Sequence, residues 1–120
     1  AESAFRENDW ATVRDALETA ITMEDPGERV AQLATLEGVD VGVGSGMLYM
    51  LNPSDDIVMG EREWAALEAL DERSEGYPST PRPSDYRDYH ATCARLRDEL
   101  GVTFIDLQRT LWRLSAGDEA

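Results

Sequence analysis

The sequence predicts an all-α fold of five to six helices. Apolar residues recur at three- and four-residue spacing in successive windows, and no stretch alternates apolar and polar residues as a strand would. The breaks between windows fall at Asp, Gly and Pro, the residues that cap, end and restart helices. No segment repeats at a fixed period.

Residues 1–8 are polar and expected to fray. Asp9 is placed to cap a helix opening at Trp10, with Trp10, Val13, Leu17, Ala20 and Ile21 inward and Arg14, Asp15 and Glu18 outward. That helix ends near Met23. Asp25-Pro26-Gly27 restarts the chain, since Asp25 can cap and Pro26 suits the first helical position. Val30, Leu33 and Leu36 mark a short second helix, which Gly38 ends by allowing a left-handed residue.

Leu36–Pro53 is the stretch the rest is organised around. Four of the nine glycines (Gly38, Gly42, Gly44 and Gly46) fall within nine residues, and an apolar run follows up to Asn52-Pro53. The pattern predicts a tight hairpin leading into a buried third helix over residues 43–51. A glycine-rich helix start also exposes unpaired amides, which favour an anion such as phosphate. Close packing of two helices explains Gly44 and Gly46 equally well.

Residues 52–56 form a polar turn, and Ile57-Val58-Met59 a short extended apolar segment that Gly60 breaks. A fourth helix follows with Trp64, Leu67 and Leu70 inward. Glu61, Arg62, Glu63, Glu68, Asp71 and Glu72 read as its solvated face. Pro78, Pro81, Pro83 and Gly76 make residues 73–83 a loop. Ser84 and Asp85 start the longest helix, to about Leu100, with Tyr86, Tyr89, Cys93, Leu96 and Leu100 as its apolar stripe. Gly101 ends it. Thr103 and Asp106 then open a last helix buried through Phe104, Leu107, Leu111, Trp112 and Leu114. Residues 115–120 are polar and expected to be loose.

One domain spanning residues 1–120, with an ordered core over 9–115, fits this length. The chain begins at Ala1 rather than Met, which is compatible with a longer parent. It carries neither a bilayer-length apolar run nor a secretory pattern, so a cytoplasmic location is expected. Cys93 is the only cysteine, which excludes internal disulfides and thiolate clusters. Its place on an apolar stripe predicts a buried, inert thiol. His90 is the only histidine and has no nucleophile elbow beside it, so it is read as structural or surface.

Charge is the strongest compositional fact. The chain has 25 acids against 11 arginines and no lysine, a net charge of −14 at pH 7. The acids are spread along the whole chain. Such a surface resembles that of proteins from extreme halophiles; the alternative is an acidic mesophilic protein with a cationic partner.

Leu36-x-Gly38-Val39-x-x-x-x-x-Ser45 ahead of an apolar helix resembles the helix-hairpin-helix element. The order of segments is similar to the helix-hairpin-helix DNA glycosylase superfamily, whose hairpin typically reads Leu-Pro-Gly-Val-Gly. The turn at Asn52-Pro53, the segment 57–59 and the helix from 61 follow in that order. Leu96 to Ser115, with Leu111-Trp112, resembles the C-terminal helices of small glycosylase-like proteins. The resemblance covers roughly residues 28–115.

It implies a single orthogonal helical bundle containing the hairpin element. Amides near Gly38, Asp40 and Gly42 would hold a DNA phosphate, within a site that takes in Val39, Gly44 and Ser45, and Arg62 would add a contact. A monovalent cation would sit at the backbone carbonyls of Gly38 and Asp40; no other cofactor is expected. Three positions depart from the family. Asp40 replaces the second hairpin glycine and brings a carboxylate toward the phosphate. Gly60 stands where the family has its catalytic aspartate, which neither Asp56 nor Glu61 replaces by sequence position alone. Gly42 stands where bifunctional members carry a lysine, so Schiff-base lyase chemistry is excluded.

The resemblance therefore implies a DNA-binding domain related to base-excision DNA repair, with the catalytic positions not kept. A protein-interaction scaffold with an acidic surface, meeting a basic partner or its own twin through Trp10, Trp64 or Trp112, is the alternative. An active monofunctional glycosylase with a relocated carboxylate is third. The ordinary reading of Arg62, Arg95, Arg97, Arg109 and Arg113 is solvated or locally paired side chains. Self-repulsion at this charge is screened at about 3 Å in roughly 1 M salt. The melting temperature should therefore climb steeply from dilute to molar salt, and a salt-independent melting curve would refute the halophilic reading.

Overall fold

The computed structural model describes residues 2–115, and among them it is all-helical, with no strand. The segments are α1 (Glu2–Phe5, one turn), α2 (Trp10–Ile21), α3 (Pro26–Leu33), α4 (Val41–Leu51), α5 (Glu61–Ala69), α6 (Pro83–Leu100) and α7 (Phe104–Ser115). Residues 116–120, expected to be loose, lie outside the described residues.

Local chemistry sets most boundaries. The carboxylates of Asp9, Asp25 and Asp40 accept the amides of Thr12, Glu28 and Val43 at 2.8–2.9 Å, each satisfying one orphan donor of a first turn. Asp85 accepts the Arg82 amide at 2.8 Å, and α6 opens at Pro83, slightly ahead of Ser84. Thr103 Oγ1 accepts the Asp106 amide at the start of α7. Gly38 (φ 79°) and Gly101 (φ 67°) take the left-handed conformation after α3 and α6. Asp71 does the same after α5 at φ 61°, where no glycine marks the end.

α3 packs against α2, α4 and α6; α5 pairs with α7, which also meets α6. One core runs through all of them, built on Val30, Leu33, Leu48, Ile57, Met59, Trp64, Leu67, Tyr86, Tyr89 and Leu111. Gly44 lets α3 and α4 approach: a Cβ there would lie 3.1 Å from Val30 Cγ2. Trp64 stacks on Tyr89, meets Tyr77 edge-on and donates Nε1–H to the Glu75 carbonyl, tying the 72–82 loop to the core.

Several expected positions differ. The N-terminal residues are anchored rather than frayed at Phe5, which packs on the core, and at Asn8, whose amide exchanges two hydrogen bonds with the Glu37 backbone. Trp10, Ile21, Leu70, Leu100, Trp112 and Leu114 are exposed rather than inward. They lie at helix ends or beside a narrower stripe; α2, for instance, buries Val13, Ala16 and Ala20 instead. α4 begins two residues earlier than expected and is only half-buried.

The segment between α4 and α5 crosses the core in extended form. Side chains from three helices satisfy its backbone. Met59 N–H donates to Ser45 Oγ at 2.9 Å, Val58 N–H to Gln108 Oε1 at 3.0 Å, and Tyr89 Oη–H donates to the Val58 carbonyl at 2.8 Å. Tyr86 Oη lies 3.0 Å from the Ile57 carbonyl and 2.9 Å from Asp56 Oδ1, acceptors for its single proton. A buried amide left unpaired costs about 1–3 kcal/mol. Ser45→Ala should therefore lower unfolding stability by about that amount in urea melts, by stranding the Met59 amide. An unchanged denaturation midpoint would show that Ser45 is not the clamp.

Candidate functional site

The turn from Ala34 to Asp40 joins α3 to α4. Val39 is buried there and its amide closes on the Leu36 carbonyl. Asn8 takes the Glu37 amide, Asp40 Oδ1 takes that of Val43, and the Asp40 carbonyl takes that of Gly44. Among the described residues, no acceptor meets the amides of Gly38, Asp40, Val41 and Gly42. A Cβ on Gly42 would make ordinary contact with Tyr77 Oη and the Met59 carbonyl, both at 3.5 Å. Burial, followed by the nearby charges of Asp40, Glu61, Glu63 and Asp85, pushes the Tyr77 hydroxyl above its usual range.

Gly38, Asp40 and Gly42 thus share one corner, with an exposed carboxylate among the free donors. Gly44 and Ser45 face the interior. Ser45 is fully buried and donates to the Gly42 carbonyl at 2.7 Å. Arg62 is engaged by α7: its guanidinium lies 3.3 Å from the Trp112 ring centroid, and Nε donates to Ser115 Oγ at 3.2 Å. The structure does not bring it together with the turn through any bond.

Gly60 caps α5 in extended conformation (φ −148°). A Cβ there would meet Glu63 Oε1 at 2.9 Å. Glu63 is therefore the acid beside this position, and it is buried at 4% exposure rather than part of a solvated face. Gln108 Nε2 donates to its Oε2 at 2.8 Å. Closed off and hydrogen-bonded to the amide that also holds Val58, Glu63 serves as a packing acid.

A second polar cluster was not legible in the sequence. Arg29, 8% exposed, forks onto Asp56 through Nε and Nη2, each at 3.0 Å. Its Nη1 donates to the carbonyls of Met23 and Glu24, so it ties the end of α2 to the turn before α5. Tyr86 completes the group, its hydroxyl pushed far up by burial and by the Asp56 charge. Beside it a cleft of about 420 Å³ is lined by residues including Ile21, Met23, Glu24, His90 and Arg97. Burial also raises the Cys93 thiol to about 12, which keeps it protonated and inert.

Among the described residues no three His, Cys, Asp or Glu side chains gather to hold a metal, and no helix is long and apolar enough to cross a membrane.

The remaining feature is the outer side of α4. Alone among the helices of the described residues, this helix carries no charged residue. It buries Val41, Gly44, Ser45 and Leu48 and leaves Val43, Met50 and Leu51 in solvent, Met50 at 84% exposure. Nothing lies within 4 Å of a Cβ built on Gly46, which sits in the middle of that side.

Compared with protein families, curated proteins and solved structures, the chain matches none significantly.

His90 packs edge-on against Tyr86 and Phe104, with Nε2 2.6 Å from the Asp55 carbonyl, so Nε2 carries the proton. Burial lowers its pKa below 6.5, and Arg29 and Arg97 add to this; the Asp55 carbonyl and Asp56 oppose it. The unfolded chain then takes up the proton first on acidification. His90 contributes full stability above pH 6.5 and loses it as pH falls toward the lower folded value. His90→Gln should flatten the stability profile in that window relative to the native chain. Parallel profiles would show that His90 titrates alike in both states.

Proposed function

We propose that this chain is a protein-interaction module: an acidic helical scaffold that presents the uncharged side of α4 to a protein partner. One observation carries the reading. In a chain of net charge −14, a helix with no charged residue leaves Val43, Met50 and Leu51 in water. Single exposed apolar residues are ordinary, but Val43 and Met50 share one side of the helix, two turns apart, with half-buried Met47 between them. Of the tryptophans weighed as anchors, Trp10 is exposed on α2, whereas Trp64 is core.

The nucleic-acid reading is second. It is favoured by the left-handed Gly38 and by the free amides of Gly38, Val41 and Gly42. In this reading α3, the turn and α4 form the helix-hairpin-helix element of an orthogonal bundle, the carbonyls of Gly38 and Asp40 take a monovalent cation, and a DNA phosphate meets the amides. The Asp40 carboxylate and the net charge both oppose it.

A photoreactive residue in place of Met50, against a control in place of exposed Asp88, separates the two readings. The interaction module should give protein adducts from position 50 and none from position 88. No adduct from position 50, together with duplex DNA binding that Gly38→Glu abolishes, would transfer the function to the turn.

A further inference from the structure

We infer that the outer side of α4 seats a short amphipathic helix whose apolar seam is bracketed by arginine or lysine. This rests on the interaction reading above and names the occupant.

The seat has the form of a helix-binding seam. Val43 and Met50, seven residues apart, lie on the same side two turns from each other, with half-buried Met47 between them. Gly46 leaves a notch in the middle, with open space where a side chain would stand. A partner's large apolar residue can enter that notch, and methionine side chains adapt to whatever enters.

Size decides against a second globular protein. An eleven-residue helix is about 16 Å long and about 10 Å wide, so its face projects on the order of 160 Å², well short of the roughly 800 Å² per side that stable globular pairs bury. A second copy would also bring another −14 charges to the contact.

Charge decides the flanks. No basic residue occurs between Arg29 and Arg62 in sequence, and every charged residue exposed at the ends of α4 is an acid: Glu37 and Asp40 before it, Asp55 after it. A partner with cations at both ends of its seam meets carboxylates at both ends of this one. An acidic partner is repelled at both.

The test uses the full chain and two labelled synthetic peptides with leucines at i, i+4 and i+7. One has arginines at both ends and the other glutamates. Fluorescence anisotropy should show binding of the arginine peptide only. Met50→Glu should weaken it by about tenfold or more, as expected for the most exposed apolar anchor of the seat. Asp40→Asn with Asp55→Asn should weaken it less and reduce its salt dependence; asparagine keeps the helix cap. Circular dichroism of each variant checks that the helices persist. Equal affinity for both peptides, or no effect of Met50→Glu, overturns the inference. So does a dimer in sedimentation that Met50→Glu disperses, which would seat a second copy. Binding to phosphatidylcholine vesicles that Met50→Glu abolishes, without peptide binding, overturns it in favour of lipid. Protein adducts from position 50 without peptide preference would remove this occupant and leave the interaction module standing.

Discussion

The segment Asp56–Met59 is the constraint on which the rest of the structure depends. It is extended chain in the middle of a helical protein, with no neighbouring strand to pair with. Buried backbone donors and acceptors must be met, so side chains replace the missing ladder. That requirement fixes a serine on α4, two tyrosines on α6 and a glutamine on α7. Each recruited group brings its own demand. Gln108 has a second end to satisfy and takes Glu63; Asp56 is charged and takes Arg29. Among the described residues no buried side-chain nitrogen or oxygen is left without a partner. Such a network specifies one arrangement because a half-satisfied version costs more than an apolar core.

The same segment sets the rotation of α4. Ser45 holds the helix to Met59 on one side, and Gly44 lets Val30 of α3 press close on the other. With Leu48 also buried, these contacts use the inward arc of an eleven-residue helix. Val43 and Met50 cannot turn inward without pulling Ser45 away from the Met59 amide. The exposed apolar side is thus a consequence of the polar clamp. An all-apolar helix would ordinarily be covered all round; this one is anchored by a hydroxyl and left open.

Features that depend on neighbours in sequence were legible in advance. Asp9 and Asp25 cap, Gly101 ends α6, and Thr103 opens the last helix, because each acts within three or four residues; Gly38 takes its left-handed conformation in the turn, whereas α3 already ends at Leu33. What was not legible depends on distant partners. Arg29 and Asp56 are 27 residues apart, and Glu63 and Gln108 are 45 apart. A helical period shows which side of α5 faces in, but not that an amide from α7 waits there for a carboxylate, so Glu63 was placed in solvent. The exposed Leu70, Leu100 and Met50 have the converse cause. Periodicity ranks the faces of a helix without stating how far a neighbour extends to cover them. Asp40, read as a departure from a glycine hairpin, acts as an N-cap of a helix that starts earlier, and one local pattern supports both readings.

The arginines explain why the surface around α4 stays acidic. Arg29 forks onto Asp56, and Arg87 onto Asp25. Arg95 pairs with Glu72 and Glu99. Arg62, Arg73 and Arg97 lie over the rings of Trp112, Trp64 and Phe104. A planar guanidinium can both fork and stack, which a lysine ammonium does less well, so the absence of lysine has a structural counterpart. These cations are used within the molecule, joining helices far apart in sequence. They soften self-repulsion where the chain folds on itself and add little positive charge to the end-to-end stretch around α4. Any macromolecule that approaches that helix meets methionine and valine with the carboxylates of Glu37, Asp40 and Asp55 at the helix ends, and gains by supplying the opposite charge.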